Sequence, residues 1–221
     1  MATAVEQPVT LPVDGGAIEG NLLIPTSAAG IVVFAHGSGS SRHSPRNRFV
    51  AESLHSRNLG TFLIDLLTRE EERIDDRTRH LRFDIDLLAG RLRDTADWLA
   101  AHPQTRDYPI GYFGASTGAA AALVAAAQGA QQVAAIVSRG GRPDLAGPAI
   151  ERVSTPTLLI VGGADQAVIE FNRQAYARLR VEKRIEIVPG ATHLFEEPGA
   201  LEQVARLAGD WFAGHMVRTA G

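Results

Sequence analysis

The pentapeptide Gly114-Ala115-Ser116-Thr117-Gly118 places one serine between two glycines, where an apolar segment gives way to an alanine-rich one. Residues 110–113 suit a buried strand, and residues 119–127 suit a helix that lies flat on a sheet. The glycines leave space for a sharp strand-to-helix turn that presents the Ser116 hydroxyl at the end of the strand. A hydroxyl needs an adjacent base to become nucleophilic near neutral pH. The spacing predicts a nucleophilic serine, with a serine that merely caps the helix as the alternative.

Two further side chains follow in an order that suits such a serine. Asp165 ends the penultimate predicted strand, and His193 lies in the loop after the last one. An imidazole can accept the serine proton, and a carboxylate can fix its tautomer and stabilise the cation that forms. Asp165 could instead cap the helix that begins at Gln166, and the two roles are compatible. Asp144, in a connection, and Glu170, within a helix, are poorer candidates for the carboxylate.

The turn formed by residues 36–40 supplies a candidate second donor for an oxyanion. Its glycines let the backbone bend so that the main-chain N–H of Ser38 points into the site, with that of Gly39 as the alternative. The first donor is the N–H of Thr117, which opens the helix after the serine. Taken alone, a glycine–serine turn is more often only a turn. His36 ends a buried strand, and we expect it to order this turn by hydrogen bonds rather than to act as the base.

Charged residues are also expected near the same edge of the sheet. Basic side chains there could favour an anionic substrate, although loop arginines are usually solvated, so none is assigned to substrate: Arg42, His43, Arg46, Arg139 and Arg142. The charge-rich stretch 70–79 is interpreted as a solvated loop, with a small flap over the site as the alternative. The histidines are scattered and no His-Glu-x-x-His is present, so no metal site and no cofactor are expected.

Composition is that of an ordinary globular chain. The 221 residues are 45% hydrophobic and 21% charged, enough for one domain with a sizeable core. The net charge of -3 gives no reason to expect nucleic acid or a membrane surface as a partner. No cysteine is present, which excludes disulfides and a thiolate nucleophile. The first eight residues do not resemble a secretory signal, so a cytoplasmic location is expected.

An opening hairpin over residues 9–24 is followed by six predicted strands that alternate with helices. This pattern predicts an α/β fold: a mostly parallel sheet with an antiparallel N-terminal hairpin and helices on both faces. Residues 1–8 are expected to be flexible, residues 9–213 to form a single domain, and residues 214–221 to be a tail. Ligands gather at the carboxyl ends of strands in such sheets. The candidate serine, histidine, aspartate and glycine turn all lie at such ends, which is the main reason to expect one site.

These motifs together resemble those of α/β hydrolases, and the small size without a cap resembles the dienelactone hydrolase branch. The resemblance covers about residues 9–213. It implies Ser116 as nucleophile, His193 as base and Asp165 as the acid that orients it. It also implies an oxyanion hole made by the amides of Thr117 and Ser38.

The same resemblance implies a hydrolase of small carboxylic esters that works through an acyl-enzyme, with a small-molecule ester as its partner. Dienelactone hydrolases proper use cysteine where this chain has serine, so dienelactone is not the expected substrate. Only residues 139–156 separate two of the strands, which leaves little room for a helical cap and predicts an open, shallow site. Acyl transfer, thioester or phosphotriester cleavage on the same residues, or a non-catalytic scaffold, are the alternatives.

Overall fold

The computed structural model describes residues 5–129 and 133–216, which form an eight-stranded sheet with helices on both faces. The strands are β1 (Gln7–Val13), β2 (Gly16–Leu23), β3 (Gly30–Ala35), β4 (Leu59–Ile64), β5 (Ile110–Ala115), β6 (Val133–Arg139), β7 (Thr157–Gly162) and β8 (Lys183–Val188). The helices are α1 (Pro45–His55), α2 (Arg69–Thr78), α3 (Ile85–Ala101), α4 (Thr117–Ala127), α5 (Gln166–Arg178) and α6 (Ala200–His215). Short 3-10 segments cover Leu81–Phe83 and Pro143–Arg152.

The strands lie in the order β1-β2-β4-β3-β5-β6-β7-β8. The β1–β2 and β2–β4 pairs are antiparallel, and all the other pairs are parallel. The predicted mostly parallel sheet with an antiparallel opening hairpin is therefore confirmed. No separate cap domain is evident within the described residues.

The central strand β3 shows why the sheet must be covered on both faces. Ile31 and Val33 belong to the core that contains α3 and α4, whereas Val32 and Phe34 pack in the core that contains α1 and α6. All six residues of the strand are buried. A strand buried on both faces carries an unbroken apolar run, as this one does.

Chain ends and strand limits differ modestly from the sequence predictions. Strand β1 begins at Gln7, inside the stretch expected to be flexible, and α6 continues to His215, inside the expected tail. Residues 1–4 and 217–221 of those two predictions lie outside the described residues. Within the described residues, no helix combines the length and apolar character needed to cross a bilayer.

The prediction of a solvated loop over residues 70–79 was wrong, because this segment forms α2. The helix begins with a capping box: the Thr68 hydroxyl accepts the N–H of Glu71 at 3.2 Å, and the Glu71 carboxylate accepts the N–H of Thr68 at 2.7 Å. Near its other end, the buried Asp75 carboxylate accepts from Arg82 Nε at 2.5 Å. End caps and this ion pair stabilise a helix with no apolar stripe.

The following helix starts later than predicted. A single helix was expected from Leu81, but Leu81–Phe83 form a 3-10 turn and α3 begins at Ile85. The side chain of Asp84 accepts the N–H of Leu87 at 3.0 Å and so caps the start of α3. The apolar spacing continues across this break, which is why periodicity alone did not reveal it.

Candidate active site

Ser116 sits in a strained turn between β5 and α4. Its φ of 50° lies in the left-handed region, which is uncommon for a residue other than glycine. Main-chain bonds hold it there: its N–H donates to Arg139 O at 3.3 Å, and its C=O accepts from Ala119 and Arg142 N–H at 3.1 Å each. Its side chain makes no capping bond to α4. Ser116 therefore occupies the N-cap position of α4 without capping the helix through its side chain, and its hydroxyl is free to face the site.

The flanking glycines are required by close backbone approach. A Cβ atom on Gly114 would lie 2.7 Å from the main-chain N of Ala119, and one on Gly118 would lie 2.5 Å from the carbonyl O of His36. Real Cβ contacts are not that short, so α4 can approach β3 and β5 this closely only with glycine at both places. This packing fixes where the turn presents Ser116.

The structure brings His193 and Asp165 to the Ser116 hydroxyl. His193 Nε2 lies 3.3 Å from Ser116 Oγ, and His193 Nδ1 lies 2.7 Å from Asp165 Oδ2. Because a carboxylate only accepts, Nδ1 donates to Asp165, and the tautomer that does so has its Nε2 lone pair facing the hydroxyl. Asp165 makes no side-chain capping bond to α5, so its carboxylate serves the histidine.

Main-chain bonds tie the loops that carry this pair to each other. The N–H of Gly163 donates to Val188 O at 2.8 Å, and the N–H of Ala164 donates to Ala191 O at 2.9 Å. A Cβ on Gly162 would lie 2.5 Å from the same Ala191 oxygen, so the two backbones touch. The loop after β7 and the loop after β8 therefore form one rigid support for the aspartate–histidine pair.

His36 orders the glycine turn as predicted. Its Nδ1 donates to Gly37 O at 2.9 Å, and its Nε2 accepts the N–H of Leu66 at 3.2 Å. Burial lowers the pKa of His36 below its usual 6.5, so the ring is neutral at neutral pH. The ring thus links the turn after β3 to the loop after β4. A Cβ on Gly37 would lie 3.2 Å from Ser116 Cβ, which places this turn directly against the serine.

Two hollows open on either side of Ser38. The larger, here the large cleft, has a volume of about 410 Å³ and lies between the glycine turn and α2, with Thr117 in its wall. The smaller, here the small pocket, has a volume of about 180 Å³ and contains both Ser116 and His193. Ser38 lines both hollows, so the predicted oxyanion donor stands where they meet.

The five basic residues expected near the site have different surroundings. Arg42 pairs with Asp65 and with Glu19, and Arg142 makes two bonds, of 2.8 and 2.7 Å, to Asp144. These arginines are committed to carboxylates of the fold. His43 lines the large cleft, and Arg46 and Arg139 line the small pocket. Among the described residues, no group of three or more His, Asp or Glu side chains is arranged to hold a metal ion.

A mostly parallel sheet, with a serine on the turn after a central strand and helices on both faces, defines an α/β hydrolase. The chain belongs to the dienelactone hydrolase family, whose model matches residues 18–212. This membership supports a hydrolase activity.

Relatives agree on the fold. A dienelactone hydrolase from Anabaena variabilis is 59% identical, with a TM-score of 0.94 over 96% of this chain and 99% of that one. A dienelactone hydrolase-like promiscuous phosphotriesterase from metagenomic libraries has a TM-score of 0.78 at 16% identity over 97% and 99% of the two chains, a likeness of fold alone.

A Mycobacterium tuberculosis protein that bears the provisional name phosphoribosyl transferase is 60% identical over 199 residues. The match covers 90% of this chain but 44% of that relative, so this chain spans less than half of it.

Proposed function

We propose that this chain is a serine hydrolase that cleaves small carboxylic esters through an acyl-enzyme. The observation that carries the proposal is the unbroken contact from Asp165 through His193 to the Ser116 hydroxyl. Ser116 is the nucleophile, His193 the general base and Asp165 the group that orients the imidazole.

Acylation follows from this geometry. As Ser116 Oγ forms its bond to the ester carbon, its proton passes to His193 Nε2, 3.3 Å away before the step. The imidazolium that results donates through Nδ1 to Asp165, whose negative charge stabilises it. Protonated Nε2 then gives its proton to the departing alkoxide, so the alcohol leaves neutral and the acyl group stays on Ser116.

Stabilisation of the oxyanion is assigned to two main-chain donors. The N–H of Thr117 stands at the start of α4, where the helix dipole is positive, and Ser38 lies in the turn that packs against the serine. The elbow and the turn that carry these two amides are held by the main-chain and His36 bonds described above, which supports the assignment. Water then attacks the acyl group, with His193 again the base.

The open site favours small esters. Since residues 139–156 fold into a strand end and 3-10 turns, no inserted helices cover Ser116. The phosphotriesterase relative has only the fold in common with this chain, and the provisional phosphoribosyl transferase name belongs to a protein more than twice as long. Acyl transfer, thioester or phosphotriester cleavage and a scaffold role stay alternatives, and the cytoplasmic location stays a prediction.

The test is Ser116→Ala, measured with 4-nitrophenyl acetate and with a fluorophosphonate probe. We expect wild-type protein to hydrolyse the ester and to carry the label on Ser116, and the variant to lose both while unfolding at the wild-type temperature. Ser56→Ala, which removes an exposed hydroxyl bonded to Ser53 O, is the matched control and should keep both. Hydrolysis that survives in Ser116→Ala refutes the nucleophile, and wild-type protein that is neither labelled nor active favours the scaffold alternative.

A further inference from the structure

Arg139 is the last residue of β6 and lies directly beside the nucleophile. In the parallel pairing of β5 with β6 it stands opposite Ala115, and its carbonyl accepts the N–H of Ser116. The residue lines the small pocket together with Ser116 and His193, as does Asn47, to which the Arg139 guanidinium donates. On the far side, its guanidinium carbon lies 5.8 Å from the centre of the Phe195 ring.

The Arg139 guanidinium is a buried charge without a carboxylate partner. The residue is 5% exposed, and within the described residues no acidic side chain lies within ion-pair distance of it. Its one side-chain hydrogen bond, at 3.1 Å, goes from Nη2 to Oδ1 of Asn47, a neutral amide, and its Nε has no partner. Burying an unpaired charge costs several kcal/mol in general. An anionic ligand that supplied the missing charge would offset this cost.

A second arginine adds to the positive character of the small pocket. Arg46 also lines it, and its Nη1 bonds at 3.0 Å to Glu196, whose side chain is largely exposed, while its Nε has no partner. Burial, with the charge of Arg46, lowers the pKa of Arg139 to about 10, so Arg139 is charged at neutral pH. Asp165 is engaged by His193, and Glu196 pairs with Arg46 rather than with Arg139.

We propose that Arg139, assisted by Arg46, binds an anionic group on the alcohol part of the ester substrate. Proton transfer determines that the anionic group lies on the alcohol part rather than on the acyl part. His193 must protonate the departing alkoxide, so the alcohol has to lie next to His193, in the small pocket, whereas the large cleft reaches Thr117 and takes the acyl group. The substrate class is thus an ester of a hydroxy acid or of a phosphorylated alcohol. This inference rests on the proposed function.

The decisive measurement compares acetate esters in pairs matched in size, in which the alcohol part is either anionic or neutral, together with one phosphonate. These are 4-acetoxybenzoate, its neutral analogue 4-acetoxybenzamide and 4-acetoxyphenylphosphonate, with acetoxyacetate and acetoxyacetamide as a shorter pair. We expect kcat/KM for an anionic ester to exceed that of its amide analogue at least tenfold in the wild-type protein. Preference for the carboxylates indicates a hydroxy-acid ester, and preference for the phosphonate indicates a phosphorylated alcohol. Equal rates in both pairs and for the phosphonate overturn the proposal.

Variants separate anion binding from a structural role of Arg139. In Arg139→Met the anionic-to-neutral ratio of kcat/KM should fall to within about twofold of one, and in Arg139→Lys part of the preference should remain. The ratio is the readout because general damage to the fold lowers both rates. Arg206→Met, which removes an exposed arginine paired with Asp210, should keep the wild-type ratio. A wild-type ratio in Arg139→Met contradicts the assignment.

Binding to an unreactive variant keeps this test separate from that of the proposed function. Calorimetric titration of Ser116→Ala with 4-hydroxybenzoate, the alcohol product, should show binding that weakens at least tenfold when Arg139→Met is added. If 4-hydroxybenzoate binding depends on Arg139 in this way but the wild-type protein hydrolyses no ester, the anion site is supported and the proposed hydrolase function is refuted. If the wild-type protein hydrolyses esters with no preference for anionic ones, and 4-hydroxybenzoate does not bind, the hydrolase function is supported and the anion site is refuted.

Discussion

Replacing Asp165 by asparagine should slow turnover strongly while leaving the fold in place. The carboxylate accepts from His193 Nδ1 at 2.7 Å, and asparagine is nearly the same size but carries no charge. Its amide can donate to Nδ1, which would leave the proton on Nε2, facing the hydroxyl that Nε2 must deprotonate.

The size of the loss follows from how far the pair is shielded from water. In well-buried triads the same change costs about 10⁴-fold in kcat, which is about 5.5 kcal/mol. Here the Asp165 side chain is 17% exposed and the His193 side chain 37% exposed, so solvent screens part of the interaction. We therefore expect a loss of about 10²- to 10³-fold, or about 3–4 kcal/mol.

The assay is steady-state hydrolysis of 4-nitrophenyl acetate together with the rate of fluorophosphonate labelling. Because the imidazolium exists only beyond the ground state, the loss should fall on kcat rather than on KM. Asp144→Asn is the matched control, since that carboxylate pairs with Arg142 and should leave kcat near the wild-type value. If Asp165→Asn keeps more than about a tenth of the wild-type kcat, or Asp144→Asn loses as much, the role of Asp165 is refuted.

Three further changes test the supports of the site. Gly118→Ala places a methyl 2.5 Å from His36 O and should cost about 1–3 kcal/mol in urea unfolding; wild-type stability would contradict the close packing. Burial raises the pKa of Asp75, but hydrogen bonds from Arg82 outweigh burial and hold this pKa below 3.8. The Asp75–Arg82 pair therefore stabilises the folded protein above pH 3.8, and this stabilisation is lost as the pH falls and Asp75 is protonated. Asp75→Asn should thus lose about 1–3 kcal/mol at neutral pH, less near pH 3, and a pH-independent loss would argue against it. Burial lowers the pKa of His36 below 6.5, so the unfolded state binds a proton more readily than the folded state. The free energy of unfolding should therefore fall as the pH drops below 6.5, and it should fall less steeply in His36→Gln. Equal slopes would show that His36 is not responsible.

The sequence was sufficient to predict that Ser116, Asp165 and His193 meet. Each follows a strand of a parallel sheet, and the carboxyl ends of such strands share one edge, so chain order and strand count already constrain the site. The direction of the Asp165 carboxylate was not predictable, because helix capping and histidine orientation use the same aspartate. Coordinates were needed to separate them.

Other features depended on information that apolar periodicity does not carry. Helix α2 is highly charged, and its main signal was Thr68 followed by Glu71, a capping box that the interpretation as a loop overlooked. In the sequence, Arg139 could not be distinguished from Arg42 or Arg142, since all three lie close to glycine-containing turns. Arg139 differs from the other two because it is buried and has no carboxylate partner among the described residues, and both properties depend on how the chain packs.

The contact of α4 with two strands through Gly114 and Gly118 also determines which parts of the molecule can adjust to different substrates. With no side chains between these backbones, there is no soft layer that could yield, and interiors packed this tightly resist compression. The position of Ser116 is therefore fixed, and in the proposed reaction the substrate has to bind in register with it. Under the proposed assignment of the acyl group to the large cleft, accommodation of larger or smaller acyl groups depends on α2, which borders that cleft and is anchored by end caps and ion pairs. Efforts to widen the range of esters accepted should begin with that helix, and leave the elbow untouched.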